Sequence, residues 1–241
     1  STNRAAKEAA FSGEAGHGAL ILARRQKSGR GRRGRSFYSP ENAGLYMSIV
    51  LRPDRTLKEG LLITTAAATA VCRAVKKICG IDLGIKWVND LYLHDRKVCG
   101  ILTEAVTDFE SGNIEFAVVG IGLNLYVPED GFPEEIQETA GALFGSREAA
   151  EHVNCSILVA EIANQLLMEV ETPGLSREYT ENNIIPGNMI VITDGARTRE
   201  AYAEAIAPDG RLVVREQDGS ETLLSYGEVS VRRKPDEDQS K

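Results

Sequence analysis

No stretch of this 241-residue chain approaches the length of apolar sequence that crosses a bilayer, about 20 residues, so no membrane partner is expected. The opening residues lack the charged and apolar regions of a secretory leader. Cysteine is sparse: Cys72, Cys79, Cys99 and Cys155 are scattered, and none forms a CxxC pair. The three histidines, His17, His94 and His152, do not cluster with them. That spacing excludes a zinc site or a disulfide framework and predicts reduced thiols, a cytoplasmic location and no protein-held metal. Basic residues are also in deficit, 28 against 35 acidic, for a formal net charge of -7. Extended nonspecific binding of nucleic acid by these residues is disfavoured. No internal repeat is visible. The chain opens Ser1-Thr2-Asn3 without a methionine, and a segment upstream of Ser1 is expected.

Against that acidic background one stretch stands out. Residues 29–35 read Gly-Arg-Gly-Arg-Arg-Gly-Arg, four arginines and three glycines in seven positions. Guanidinium forks match phosphate and carboxylate oxygens, and glycine lets backbone approach a ligand. A solvated basic tract is the alternative, but such tracts are usually long and terminal. Here apolar runs flank the loop, 20–22 before it and 45–51 after it. Both read as buried strands, so the loop belongs to a folded sheet, where binding loops concentrate. It is expected to be mobile until an anion closes it.

Elsewhere the chain divides by period. A helix capped by Ser1 or Thr2 is predicted to run from about Asn3 through Ala10. A second is predicted over 57–79, stopped by Gly80. Short strands are predicted at 85–88, 98–106 and 114–125, the last two joined as a hairpin at 111–113. Leu158, Ile162, Leu166 and Val170 mark one face of a third helix, with Ser156 as its cap. From Ile184 onward only short strands follow, punctuated by Asp194-Gly195, Asp209-Gly210 and Asp218-Gly219, strong hairpin signals. An α+β domain over 1–183 is therefore expected, then a small β-barrel of SH3-like size over 184–233 and a polar, disordered tail at 234–241.

A second constellation is Lys86-Trp87-Val88-Asn89-Asp90 followed by Lys97-Val98-Cys99-Gly100-Ile101-Leu102-Thr103-Glu104. It gathers Lys86, Asp90 and Lys97 about one turn: a lysine can neutralise an anion, and an aspartate can orient an amine and accept its proton. A surface hairpin with an ordinary ion pair is the alternative. A third element, Gly120-Ile121-Gly122-Leu123-Asn124, ends a strand with two close-approach glycines, or else a β-bulge.

In order, Ser1-Thr2-Asn3, Gln26, the 29–35 loop, Ser39-Pro40, Gly44-Leu45-Tyr46, KWVND at 86–90, KVCGIL at 97–102, GIGLN at 120–124 and Gly227 to Arg232 resemble the biotin protein ligases across nearly the whole chain. Four positions depart from that pattern: Val88 where proline is usual, Phe37 where tryptophan is frequent, Cys99 where a small residue is commoner, and Arg24 where an acid often stands. The strand that opens the family's fold would lie upstream of Ser1.

The resemblance implies a large mixed-sheet catalytic domain of the class II synthetase and biotin-ligase type, followed by an SH3-like barrel. It implies two steps: biotin and ATP form biotinyl-5′-AMP and pyrophosphate, and a lysine of a biotin carboxyl carrier protein domain then displaces AMP. Mg²⁺ would accompany ATP, held by phosphates and water. The biotin site implied is Ser1, Thr2, Asn3, Gln26, Arg30, Gly31, Arg32, Lys97 and Gly100. The ATP site implied is Arg30, Arg32, Phe37, Asn89, Asn124, Glu228 and Arg232. Lys97, Arg32, Asp90 and Lys86 are the catalytic candidates, and residues 127–142 the closing segment. A lipoate-type ligase is one alternative. Another is a ligase whose full-length form also represses transcription through an upstream DNA-binding domain. A homodimer paired along sheet edges is left open.

Overall fold

The computed structural model describes residues 1–56, 59–108, 110–195, 197–225 and 230–233. Its larger part holds helix α1 (Thr2–Phe11), strands β1 (Leu20–Ala23) and β2 (Gly44–Leu51), helix α2 (Gly60–Cys79), strands β3 (Gly84–Lys86), β4 (Asp90–Leu93), β5 (Arg96–Thr107) and β6 (Ile114–Asn124), then helices α3 (Cys155–Glu171) and α4 (Arg177–Glu181). Strands β7 (Met189–Asp194), β8 (Arg197–Ile206), β9 (Leu212–Arg215), β10 (Glu221–Leu224) and β11 (Ser230–Arg233) follow. No described helix is long and apolar enough to cross a membrane.

The first six strands form one sheet in the order β1-β2-β6-β5-β4-β3. The expected mixed sheet is antiparallel in each of these pairings, and parallel pairing occurs only as isolated bridges such as Ile85 with Asn183 among the described residues. Side chains alternate between its faces. Met47, Ile49 and Leu51 of β2, with Val119, Ile121 and Leu123 of β6, pack under α2 and α3. Burying each such side chain contributes roughly 1.5–3 kcal/mol. The intervening positions face the other way, where Val50, Phe116 and Val118 meet Ala6 and Ala10 of α1. Arg73 of α2 ties this layer together, ion-paired with Glu169 of α3 at 2.5 Å and Glu178 of α4 at 2.6 Å.

Several expectations shift. β1 is the sheet edge and not a buried strand: Leu20 and Leu22 are 37% and 55% exposed. The α3 cap is Asn154, whose side chain accepts from the Ser156 and Ile157 amides. The strand expected over 85–88 stops at Lys86, and Trp87 to Asn89 turn the chain into β4. The helix beginning expected at 57 and the tail at 234–241 lie outside the described residues, as do 228–229 of the last strand.

The second sheet has five antiparallel strands in the order β10-β9-β8-β7-β11. The three Asp-Gly pairs lie in or beside the connections between β7, β8, β9 and β10, as expected. Among the described residues no pairing closes this sheet into a barrel. It meets the larger sheet where Trp87 Nε1 donates to the Gly210 carbonyl at 2.9 Å.

Candidate active site

The site follows from strand register. On the face that carries α1, one row crosses five strands: Tyr46, Gly122, Gly100, Asp90 and Lys86 are successive partners. The next row holds Ser48, Gly120 and Leu102. Helix α1 begins over that second row, so the first lies beyond its end. With glycine at the centre of both rows the sheet surface is hollow there. A cavity of about 650 Å³ occupies the hollow.

Its neutral end is built by α1 and the start of the arginine loop. Ser1 caps α1, its hydroxyl accepting from the Arg4 amide, a contact of about 1 kcal/mol. The Thr2 amide donates to Gln26 Oε1 at 2.9 Å, and Gln26 Nε2 donates to Ser39 Oγ at 3.0 Å. Asn3 Nδ2 donates to the Leu102 carbonyl at 3.1 Å and to Glu104 Oε2 at 3.0 Å. Gly120 is required here: a Cβ would stand 1.9 Å from Asn3 Oδ1.

The other end is cationic. Arg30, Arg32, Arg33, Arg35, Lys86 and Lys97 line it, against the two carboxylates Asp90 and Asp95. The arginine loop is pinned at its base by the Arg30–Ser36 bridge and by the Phe37 amide donating to the Gly29 carbonyl at 3.0 Å. Arg32 Nη1 donates to Asn89 Oδ1 at 2.9 Å, and Asn89 Nδ2 to the Ile101 carbonyl at 2.7 Å. Arg30 pairs with Glu104 at 3.2 Å. Lys97 pairs with Asp90 at 2.6 Å. Lys86 lies 5.3 Å over the Tyr92 ring, a cation–π distance. The Phe37 ring lies on the paired Gly100 and Gly122, where a Gly122 Cβ would come within 2.5 Å of it.

The segment expected to close the site forms one wall, through Phe132, Ile136, Thr139 and Ala140. The Lys97 amide donates to the Thr139 carbonyl and the Gly141 amide to the Lys97 carbonyl, both at 2.8 Å. Asn124 Nδ2 donates to the Gly141 carbonyl at 2.8 Å.

Every site residue expected from sequence lines this one cavity except Glu228 and Arg232. Glu228 lies outside the described residues. Arg232 is in β11, paired with Val191, and its neighbour Val231 reaches the cavity. The glycines at 120 and 122 act by close approach, not as a bulge. Sequence reading assigned no site role to Ser48 or Tyr92, and Ser39 and Glu104 entered it only as parts of longer motifs. Alternation along β2 and β5 is the signal that carries Ser48 and Glu104, since each falls on the α1 face.

The two buried thiols contribute no nucleophile. Burial pushes Cys72 up to about 12 and raises Cys99 well above the ordinary thiol range, despite Lys97 nearby. Both are neutral core groups. Among the described residues no cluster of three His, Cys, Asp or Glu side chains could hold a metal.

A neutral hydrogen-bonding pocket that opens onto clustered cations suits an uncharged head group with an anionic tail, the outline of an acid-activating ligase. Comparison with known proteins gives the same class. Residues 1–124 match the model of the biotin/lipoate A/B protein ligase family, and the chain belongs to that family. It is 35% identical over 162 residues to the bifunctional ligase/repressor BirA of Bacillus spizizenii, covering 67% of this chain and 48% of that protein. It is 30% identical over 229 residues to the bifunctional ligase/repressor BirA of Escherichia coli K12, covering 91% of this chain and 68% of that one. The chain thus spans about half the length of the Bacillus relative. The fold is that of a biotin protein ligase from Aquifex aeolicus in complex with biotin and ATP, at TM-score 0.76 and 23% identity over 97% of this chain and 95% of that one.

Proposed function

We propose that this chain joins biotin to ATP as biotinyl-5′-AMP and passes it to a specific lysine of a biotin carboxyl carrier protein domain. The observation that carries the reading is the continuity of the neutral end, at Thr2 and Gln26, with six cations in one cavity. Relatives named as ligases and a structural neighbour holding biotin and ATP support it.

In the first step a biotin carboxylate oxygen attacks the α-phosphorus, and the bond to the β-phosphate breaks, pyrophosphate leaving with the electron pair. The two reactants are both anions, so Arg30, Arg32 and Lys97 neutralise them where charge builds. Ligand oxygens would take Arg30 from Glu104 and Lys97 from Asp90. Lys86, Phe37, Asn89 and Asn124 serve the nucleotide, and the family resemblance adds Glu228 and Arg232 to that set. Freed from Lys97, Asp90 receives the acceptor amine. The amine attacks the acyl carbon, the C–O bond to AMP breaks, and Asp90 takes the amine proton. Mg²⁺ would ride on the phosphates and water.

The same reading assigns residues 1–183 to catalysis and 184–233 to a small SH3-like barrel, places the protein in the cytoplasm and allows two copies to pair along a sheet edge. Nucleic-acid binding is assigned to no part of residues 1–241. The test is pyrophosphate exchange into ATP with biotin or lipoate as the acid, followed by transfer to a carrier domain. Exchange with biotin alone is expected; exchange with lipoate alone would contradict the reading.

A further inference from the structure

Ser48 lies midway along β2, fully buried in an otherwise apolar run, and does not line the cavity. Its hydroxyl oxygen stands 2.7 Å from Asn3 Oδ1 and 2.8 Å from Thr2 Oγ1. We infer that Ser48 is a positioning residue, which sets the direction of the hydrogen bonds that Thr2 offers to the ring urea of biotin. The inference rests on the biotin reading above and deepens it.

The proton order follows from counting. Both hydrogens of Asn3 Nδ2 go to groups that only accept, the Leu102 carbonyl and Glu104. That fixes the amide, so Asn3 Oδ1 faces Ser48 and can itself only accept. The single Ser48 hydrogen is thereby committed to Asn3. The Thr2 hydroxyl has two acceptors in reach, Ser48 Oγ at 2.8 Å and Gln26 Oε1 at 3.4 Å. The nearer one takes its single hydrogen, since Gln26 Oε1 already accepts from the Thr2 amide, and Thr2 Oγ1 turns a lone pair to the cavity. Gln26 is ordered by the same logic. Its oxygen accepts from the Thr2 amide, so its nitrogen points to Ser39 and keeps one hydrogen without a partner among the described residues. The Ser39 hydroxyl donates to the Phe37 carbonyl. The site therefore offers one acceptor and one donor side by side, complementary to a urea N–H and a urea C=O. Without the Ser48 hydroxyl, Asn3 Oδ1 loses that donor and the Thr2 hydrogen loses its nearer acceptor, leaving it only the longer contact to Gln26 Oε1 or a turn toward the ligand's own N–H.

The test uses Ser48→Ala, Ser48→Val and Ser48→Thr in the full chain, with biotin and ATP titrated separately by calorimetry. Valine and threonine share a shape and differ by the hydroxyl. Ala and Val are expected to weaken biotin roughly 10- to 100-fold, the scale of leaving a buried polar group unpaired. Thr is expected to restore most of that affinity, and ATP affinity should hold in all three. Valine binding biotin as tightly as threonine, or ATP affinity falling in parallel with biotin, would overturn the inference. If the branched pair does not fold, Ser48→Ala decides, and wild-type biotin affinity in it would overturn the inference. Failure of the unaltered chain to bind biotin would overturn the ligase reading and this inference with it.

Discussion

The two ends of the cavity are built on different principles. At the neutral end Thr2, Asn3, Gln26 and Ser48 sit on α1, on β2 and at the base of the arginine loop, and each already has hydrogen-bond partners. At the cationic end the arginines come from one loop, and Arg30 is held by Glu104 and Arg32 by Asn89, contacts that a ligand would replace. The first end is preorganised: binding costs it little rearrangement, so it can discriminate between head groups. The second keeps an excess of positive charge, with Arg30 held by Glu104 and Lys97 by Asp90 until substrate oxygens arrive. In this account the scaffold selects the acid and the loop, with Lys97, activates it.

The largest effect should come from breaking the cationic end. Lys97→Ala is expected to slow adenylate formation roughly 10²–10³-fold, the scale for losing one preorganised charge-stabilising donor. Single-turnover pyrophosphate release measures it, and biotin affinity should change far less than the rate.

Asp90 sharpens the comparison, because it belongs to the second step. Asp90→Asn should slow transfer to the carrier lysine on the order of 10²-fold, as for loss of a general base, and slow adenylate formation much less. Equal slowing of both steps would show that Asp90 only holds Lys97.

Gly120→Ala attacks the neutral end alone. Its Cβ cannot coexist with Asn3 as placed, and overpacking of this kind costs about 1–3 kcal/mol. Calorimetry should find biotin weakened by that amount with ATP affinity intact.

The smallest effect is protection. A loop with three glycines and four like charges loses backbone entropy on closing. Tryptic cleavage at Arg32 or Arg33 should slow severalfold when biotin and ATP are both present. Unchanged cleavage would mean that the loop does not order with ligand.

Much of the cationic end was legible in the sequence because it is local: four arginines in seven residues, and Lys86 to Lys97 within a dozen. The neutral end was legible only through Ser1-Thr2-Asn3 and Gln26. Its supports were not. Ser48 looks like one small residue in an apolar strand, and Glu104 like a surface charge, until β2, β6 and β5 pair and bring both beneath α1. Contacts across 45 and 101 residues leave no local pattern. The edge position of β1 was hidden for the same reason: an apolar tetrapeptide does not show which neighbours it will have. The Asp-Gly turns, by contrast, are local chemistry, and each fell where expected.

The division of labour is tested most directly by following pyrophosphate release in single turnovers, across a range of biotin concentrations, for Gln26→Leu and Arg32→Gly. Gln26→Leu is expected to raise the biotin concentration needed for half-maximal rate and to leave the maximal rate near wild type. Arg32→Gly is expected to lower the maximal rate, with a smaller change in that concentration. A Gln26 variant that loses maximal rate while binding biotin normally, or an Arg32 variant that loses only affinity, would contradict that division.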